Sequence, residues 1–218
     1  MKIFHSTKFL VISLSLLVTA CSSNRPSENN EELSKKGLAE YSQYADHNKH
    51  IIINNSKRLY ELSTPYKDYI KTQATAKNMP KEIYAIPAIE SAFNERAIAL
   101  KNNTVGMWQL TSSMAKNEGL NIGNNNDERK DWKKSTDASL EYINSNAKEN
   151  FNNNFDLSVL AYNAGTGTVK KALKKYNTND VWVIIQDKNI FKQETVTYFY
   201  KYVAYSNEFK KLDHNSNK

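Results

Sequence analysis

The 218-residue chain has few of the residues on which several classes of functional site depend. Its single cysteine excludes an internal disulfide bond and any zinc-finger spacing. The six glycines form no glycine-rich phosphate-binding loop, and the four scattered histidines form no pattern of metal ligands. We therefore expect no metal site and no cofactor in this protein.

The one cysteine lies at the end of a segment with the features of a secretory signal. Lysines near the start are followed by the apolar run Phe9–Ala20, which is too short to span a membrane as a helix. Residues 17–21, Leu-Val-Thr-Ala-Cys, resemble the bacterial lipobox. This resemblance implies that residues 1–20 are a lipoprotein signal peptide and that Cys21 carries lipid, with an uncleaved anchor as the alternative. Ser22 is compatible with sorting to the periplasmic face of an outer membrane.

The balance of charge is mildly basic. The formal net charge of +7 becomes +5 without residues 1–20, because that segment contains two lysines and no acidic residue. A basic surface suits nucleic acid, an acidic cell-wall polymer or lipid headgroups. Export favours the cell wall, so we expect a membrane contact through lipid and no nucleic-acid partner. A partner in an envelope or secretion machine stays open.

The chain divides into a tether, one compact domain and a tail. Residues 22–34 are polar and nearly devoid of apolar side chains, which predicts an unfolded tether. Residues 38–62 predict one helix lying on the domain, so that residues 21–64 form an N-terminal segment. Residues 65–212 suffice for one domain with a core, and residues 213–218 are predicted to be a disordered tail.

Helical spacing of apolar residues dominates this domain, and alternating strand patterns are hard to find, so we expect an all-α fold. One helix is predicted from Pro80 to Ile98, with Pro87 kinking it about one turn before Glu90. A long helix is predicted from Glu194 to Phe209, and residues 121–131 are predicted to form a loop.

Glu90 is a lone acid inside an apolar segment that includes Ile89 and Phe93. An apolar setting disfavours the charged carboxylate and so keeps a glutamic acid protonated near neutral pH, as a general acid requires. Residues 106–109 and 161–165 each combine an aromatic side chain with a carboxamide. Such pairs suit a sugar, because its faces stack on rings and its polar groups need hydrogen-bond partners. The sequence thus predicts a carbohydrate-cleaving site.

Several islands in the same order resemble the lytic transglycosylases of the soluble and membrane-bound D type. The matching islands are Pro87–Asn94, Val105–Leu110, Asp127–Arg129 with Ser135, Leu160–Gly165, and Glu194-Thr195 with Tyr198. The resemblance implies a lysozyme-like, goose-type helical domain with a glycan-binding cleft. It also implies cleavage of the β-1,4 bond between N-acetylmuramic acid and N-acetylglucosamine in peptidoglycan without water, which leaves a 1,6-anhydromuramoyl end.

The same resemblance implies Glu90 as the catalytic residue. It implies five substrate-binding positions: Met107, Gln109, Tyr162, Asn163 and Tyr198. Gln109 and Asn163 would donate hydrogen bonds to the sugar, Met107 and Tyr162 would form cleft walls, and Tyr198 would position Glu90. A single carboxylate suffices, because after protonating the bridging oxygen it can take the proton of the sugar's own C6 hydroxyl.

Other residues leave their roles open. Trp108 fits the core or a sugar platform equally well, whereas Ser91 is expected to be structural, because no histidine in the domain stands ready to activate it. Ala99 stands where the soluble family often has a serine that contacts substrate, and Glu95 stands where proline is frequent.

Two alternatives to a transglycosylase follow. The first is a muramidase in which Glu90 acts with a water activated by Glu95, Asp127 or Asp131, and hydrolysis would leave a reducing end. The second is a lipoprotein that binds peptidoglycan without cutting it, which the loss of the family serine at Ala99 would favour.

Lipid attachment at Cys21 can be tested by metabolic labelling. In cells given radiolabelled palmitate, we expect the wild-type protein and a Ser22→Ala control to be labelled and Cys21→Ala to be unlabelled, because the lipidated residue is lost. Continued labelling of Cys21→Ala would contradict the lipobox assignment.

Overall fold

Helices make up most of the structure, a computed structural model that describes residues 28–123 and 126–216. The α-helices are α1 Glu28–His47, α2 Lys49–Leu62, α3 Lys67–Ala76, α4 Ala85–Ser91, α5 Ser112–Asn117, α6 Trp132–Asn150, α7 Phe155–Ala164, α8 Thr166–Tyr176, α9 Val181–Ile184 and α10 Gln193–Ser216. Short 3₁₀ helices span Lys81–Tyr84 and Glu128–Lys130. Within the described residues, no helix has both the length and the hydrophobicity needed to cross a membrane. The predicted signal peptide, Cys21 and Ser22 lie outside the described residues.

The predicted helical fold is confirmed, with one small sheet that the sequence did not reveal. Its three strands are β1 Ile98–Ala99, β2 Thr104–Val105 and β3 Leu110–Thr111, paired antiparallel in that order. Ile98 pairs with Val105, and Thr104 pairs with Thr111. Strands of two residues are too short to show an alternating pattern.

The predicted tether is wrong in its second half, because α1 begins at Glu28. Asn30 is buried and donates a hydrogen bond to the carbonyl of Tyr176 at 2.9 Å. Gly37 lies against the carbonyl of Trp182 in α9. Tertiary packing therefore orders a stretch that is poor in apolar side chains. The single helix predicted over residues 38–62 is instead two helices that meet at Asn48.

The predicted disordered tail is also wrong as far as Ser216, where α10 ends. Asp213 forms an ion pair with Lys71 at 2.5 Å and accepts hydrogen bonds from the hydroxyls of Tyr60 and Tyr84 at 2.8 and 3.1 Å. These contacts join the end of the chain to α2, α3 and the segment before α4.

The region around Pro87 differs from the predicted kinked helix. A 3₁₀ turn is followed by α4, and Pro87 lies in the first turn of α4. N–H groups in a first turn have no partner inside the helix, so proline removes no hydrogen bond there. The helix ends soon after Glu90, because Ala92 and Phe93 both adopt left-handed backbone angles, with φ of 52° and 63°.

The core is built around α10, which contacts α2, α4 and α7. Tyr84 stacks on Phe209 with ring centroids 4.7 Å apart, and both rings are fully buried. Four aromatic residues at helical spacing along α10 are buried, as such a stripe on one helix face predicts: Tyr198, Tyr202, Tyr205 and Phe209. The same helix therefore supports the core and the surroundings of Glu90.

The contact between α1 and α9 can be tested at Gly37. A Cβ there would lie 2.2 Å from the carbonyl oxygen of Trp182, so we expect Gly37→Ala to lower the free energy of unfolding by about 1–3 kcal/mol. Gly167 in α8 is the control, because a Cβ there meets nothing within 4 Å. Gly167→Ala should be neutral or stabilising by up to about 1 kcal/mol. Urea unfolding measures both, and equal stabilities would contradict the packing of α1 on α9.

Candidate active site

Glu90 lies near the end of α4 and is partly exposed, while Ile86 and Ala88 on the same helix are buried. Burial raises the pKa of Glu90 to about 7, and a hydrogen-bonding interaction with Tyr198 opposes this rise. No other charged group among the described residues contributes to the shift. Glu90 is thus an acid that holds its proton up to neutral pH, as its apolar flanks predict.

The position of Glu90 depends on the residue that follows it. The Ser91 hydroxyl donates to the carbonyl of Met107 at 2.7 Å and accepts from the backbone N–H of Asn94 at 3.0 Å. The left-handed residues Ala92 and Phe93 then turn the chain away from α4. Ser91 is therefore structural, as expected, and it joins the acid-bearing helix to residues 106–109.

The turn at residues 106–109 is closed by the carboxamide of Gln109. Its Nε2 donates to the carbonyl of Gly106 at 2.8 Å, and its Oε1 accepts from the Thr104 hydroxyl at 2.8 Å. Gly106 has φ of 86°, and a Cβ at that position would lie 1.9 Å from the carbonyl oxygen of Arg129. The structure therefore places Gln109, a predicted sugar contact, in a turn that also requires glycine.

Met107 and Trp108 are fully buried. The indole N–H of Trp108 donates to the Thr136 hydroxyl at 2.9 Å, and its carbonyl accepts from the Tyr162 hydroxyl at 2.7 Å. Trp108 is thus a core residue and not a sugar platform, the two interpretations that the sequence left open. Met107 contributes its carbonyl to Ser91, while its side chain lies in the core.

Tyr162 and Tyr198 are buried beside Glu90. Burial first, and the charge of Glu90 second, raise the pKa of both tyrosines well above the usual range. The Tyr198 hydroxyl has no hydrogen bond within the usual limits of distance and angle among the described residues, although it interacts with Glu90. One acid and two phenols from α4, α7 and α10 therefore share a desolvated region.

Asn163 lies apart from this buried group. Its side chain is exposed, and Oδ1 accepts a hydrogen bond from the Thr195 hydroxyl at 2.8 Å. Thr195 belongs to the glutamate-threonine pair noted in the sequence, which gave no role for it. The bond joins the end of α7 to the start of α10, and no acceptor among the described residues takes the two N–H donors of Asn163.

The three carboxylates considered as bases for a hydrolytic water each have another partner. Glu95 accepts from the Tyr66 hydroxyl at 2.7 Å. Asp127 pairs with Arg129 at 2.7 Å, and this hydrogen bond lowers the pKa of Asp127. Asp131 caps α6 by accepting from the N–H groups of Lys133 and Lys134 at 3.0 and 3.1 Å. Each carboxylate therefore has a structural role.

Arg129 has a structural role that the sequence did not reveal. It is buried and donates to the carbonyls of Asn103 and Leu110 at 3.0 and 3.2 Å. These bonds hold the loop before β2 and the start of β3. The Asp-Glu-Arg island in the sequence drew attention to Arg129, but the carbonyl groups that it binds cannot be identified from sequence.

A helical domain with a desolvated glutamate near the end of a short helix has the architecture of the lysozyme-like class. A comparison with protein families narrows this class to one family. Residues 68–185 match the Transglycosylase SLT domain, and the chain belongs to that family.

Curated relatives agree with this assignment. The membrane-bound lytic murein transglycosylase D of Escherichia coli is 34% identical over 169 residues, which are 72% of this chain and 35% of the relative. A putative tributyltin chloride resistance protein of an Alteromonas species is 33% identical over 132 residues, 61% of this chain and 63% of the relative. The chain thus spans about a third of the length of the first relative, 35%.

Two solved structures share the fold. The 70 kDa soluble lytic transglycosylase of Escherichia coli matches with a TM-score of 0.59 at 20% identity, over 84% of this chain and 35% of that one. The lytic transglycosylase Slt of Pseudomonas aeruginosa, solved as an inactive glutamate-to-glutamine mutant, matches with a TM-score of 0.54 at 23% identity. That match covers 68% of this chain and 24% of the other. At these identities, the likeness establishes the fold.

The raised pKa of Glu90 predicts how stability depends on pH. The folded pKa of about 7 exceeds the ordinary value of 4.5, so the folded state binds the proton more tightly and stability falls as pH rises between these values. Glu90→Gln removes this loss. Between pH 4 and pH 8, its free energy of unfolding should therefore rise relative to that of wild type by on the order of 2 kcal/mol.

Urea unfolding at several pH values measures the difference, with Glu128→Gln as the control. Its hydrogen bond from Lys134 lowers the pKa of Glu128, so that control should lose stability relative to wild type as pH rises. Parallel curves for wild type and Glu90→Gln would mean that Glu90 is not desolvated.

Proposed function

We propose that the chain is a lytic transglycosylase of peptidoglycan. It cleaves the β-1,4 bond between N-acetylmuramic acid and N-acetylglucosamine without water and leaves a 1,6-anhydromuramoyl end. The observation that carries this proposal is the desolvated Glu90, whose pKa of about 7 responds to burial and Tyr198 with no contribution from a second carboxylate. The transglycosylase names of the relatives and the inactive glutamine mutant among the similar structures support it.

The chemistry needs one group that first gives and then takes a proton. Glu90 donates its proton to the bridging oxygen as the bond from that oxygen to the anomeric carbon breaks. The carboxylate then takes the proton of the C6 hydroxyl, and O6 bonds to the anomeric carbon. No atom of water enters the product, and Glu90 ends protonated as it began. A pKa near the working pH favours both transfers.

Tyr198 acts on the charged form of this acid. Its hydroxyl lowers the pKa of Glu90 against the effect of burial, so it stabilises the carboxylate that exists between the two transfers. Asn163 donates through its exposed Nδ2 to acetamido or hydroxyl oxygens. Both Nε2 hydrogens of Gln109 bond to the carbonyls of Gly106 and Ala97, so Gln109 shapes the turn and does not donate to the sugar as predicted. Tyr162 forms a wall of a glycan-binding cleft, whereas the predicted wall residue Met107 is fully buried and contributes only its carbonyl, which holds Ser91.

The protein acts as a lipoprotein at the periplasmic face of the outer membrane. Six residues separate Cys21 from Glu28, and an extended segment of that length reaches at most about 25 Å. Lipid on Cys21 therefore holds the helical domain close to the membrane surface. The positive charge of the chain supports contact with acidic wall polymers or lipid headgroups.

Mass spectrometry of released muropeptides tests the reaction. The chain from Ser22 onward contains every described residue and is incubated with purified peptidoglycan. We expect anhydromuramoyl ends from wild type and at least about a thousandfold less product from Glu90→Gln, because a single group performs both proton transfers.

Glu95→Gln is the matched control, because this neighbouring carboxylate is held by Tyr66. It should release the same anhydro product as wild type. Reducing ends that disappear in Glu95→Gln would instead identify a muramidase with Glu95 as its base. No release by a well-folded wild-type chain would favour a binding protein.

A further inference from the structure

A second concave site lies between the α1–α2 junction and the start of α10. The cavity has a volume of about 560 Å³, within the size range of small-ligand pockets. Its lining includes four carboxamide side chains: Gln43, Asn48, Gln186 and Gln193. The rings of Tyr44 and Tyr200 also line it. Carboxamides beside aromatic rings are the groups that bind hydroxyl and acetamido substituents and the faces of sugar rings.

Two of the lining residues carry buried polar atoms without partners. The Tyr200 hydroxyl and Gln186 Oε1 have no hydrogen-bond partner among the described residues. Tyr200 is 95% buried, with an exposed fraction of 5%. A buried polar atom without a partner costs free energy, which a ligand that supplies the missing bond would recover.

The aromatic wall is rigidly packed. The Tyr200 ring lies 5.4 Å from Tyr44, 5.6 Å from Tyr41 and 6.4 Å from Trp182, measured between centroids. Trp182 also packs edge-on against Phe199 at 5.6 Å. Tyr200 thus fixes Tyr44, which is only partly buried, so the Tyr44 ring can accept a sugar with little loss of side-chain entropy.

The charges around the cavity select neither the acidic nor the basic groups of a ligand. Glu40 and Lys188 both line it, and neither forms a salt bridge among the described residues. One acid and one base leave the cavity close to neutral when His47 is uncharged. Electrostatic attraction is therefore weak for a polyanion and for a polycation, so recognition in the cavity rests on the uncharged sugar rings and their hydroxyl and acetamido groups.

This cavity is separate from Glu90. Tyr198, which interacts with Glu90, and Tyr200 lie two positions apart on α10, so they point about 200° apart around the helix axis. Of the lining residues, Ile185 alone falls within the segment that matches the family, residues 68–185. The cavity is thus built by parts of this chain that the family match does not cover.

We propose that this cavity is a non-catalytic binding site for an oligomer of N-acetylated amino sugars. The identification of its natural ligand as a peptidoglycan glycan strand rests on the proposed function. Bound there, a strand would stay attached to the protein between cleavage events at Glu90.

NMR titration with chitotetraose, the tetramer of N-acetylglucosamine, tests this site. The chain from Ser22 onward carries Glu90→Gln to prevent turnover. We expect amide shifts in residues 40–48 and 186–200, separate from any shifts near Glu90. Tyr200→Phe keeps the ring and removes the unpartnered hydroxyl, so affinity at these residues should fall between about two- and tenfold. Tyr41→Phe is the control: it packs on Tyr200 but does not line the cavity, and it should bind as before.

The outcomes separate this site from the proposed function. Shifts confined to the surroundings of Glu90, no binding, or shifts caused by a peptidoglycan stem peptide but not by chitotetraose would each overturn the site. An equal effect of Tyr200→Phe and Tyr41→Phe would also overturn it. Release of anhydro product by Tyr200→Phe is measured in parallel with Glu90 intact. If the wild-type chain releases no anhydro product although the cavity residues shift, the result contradicts the proposed function and not the second site.

Discussion

The hydrogen bond from the Ser91 hydroxyl to the carbonyl of Met107 is the contact on which the candidate site depends. It joins α4, a helix of seven residues, to residues 106–109, which are themselves held by bonds to two other helices. The next residue, Trp108, binds Thr136 of α6 through its indole and Tyr162 of α7 through its carbonyl. A helix this short has little stability of its own, so the position of Glu90 is determined by these tertiary bonds.

Placing the carboxyl group of Glu90 in this buried position costs free energy. Burial disfavours the charged form of Glu90, and two successive non-glycine residues, Ala92 and Phe93, adopt left-handed backbone angles directly after α4. Each such angle costs about 1 kcal/mol or more. Phe93 is buried and stacks on Tyr66 at 5.9 Å, and this packing offsets the strain. Unfavourable local features gather here, where a perturbed acid is needed, and the surrounding core maintains them.

Sequence patterns predicted the features that depend on local order. The apolar neighbours of Glu90 lie on its own helix, so its desolvation was predictable, and so was the buried stripe along α10. Contacts between distant segments were not. The hydroxyl partner of the Trp108 indole lies 28 positions away, so sequence could not separate core from sugar platform. The order of α1 likewise depends on Tyr176 and Trp182, which no composition argument about residues 22–34 could include.

The parts of the chain outside the family match add more than length. Helices α1, α2 and α10 lie outside residues 68–185. Tyr41 of α1 packs on Trp182 of α9 at 5.4 Å and on Tyr200 of α10, and Tyr200 lines the second cavity. A weak site there and a lipid at Cys21 would act on the same assembly of wall and membrane. These two proposed contacts would raise the effective concentration of a glycan strand at Glu90 without tighter binding at Glu90 itself, so release of the product there would stay fast.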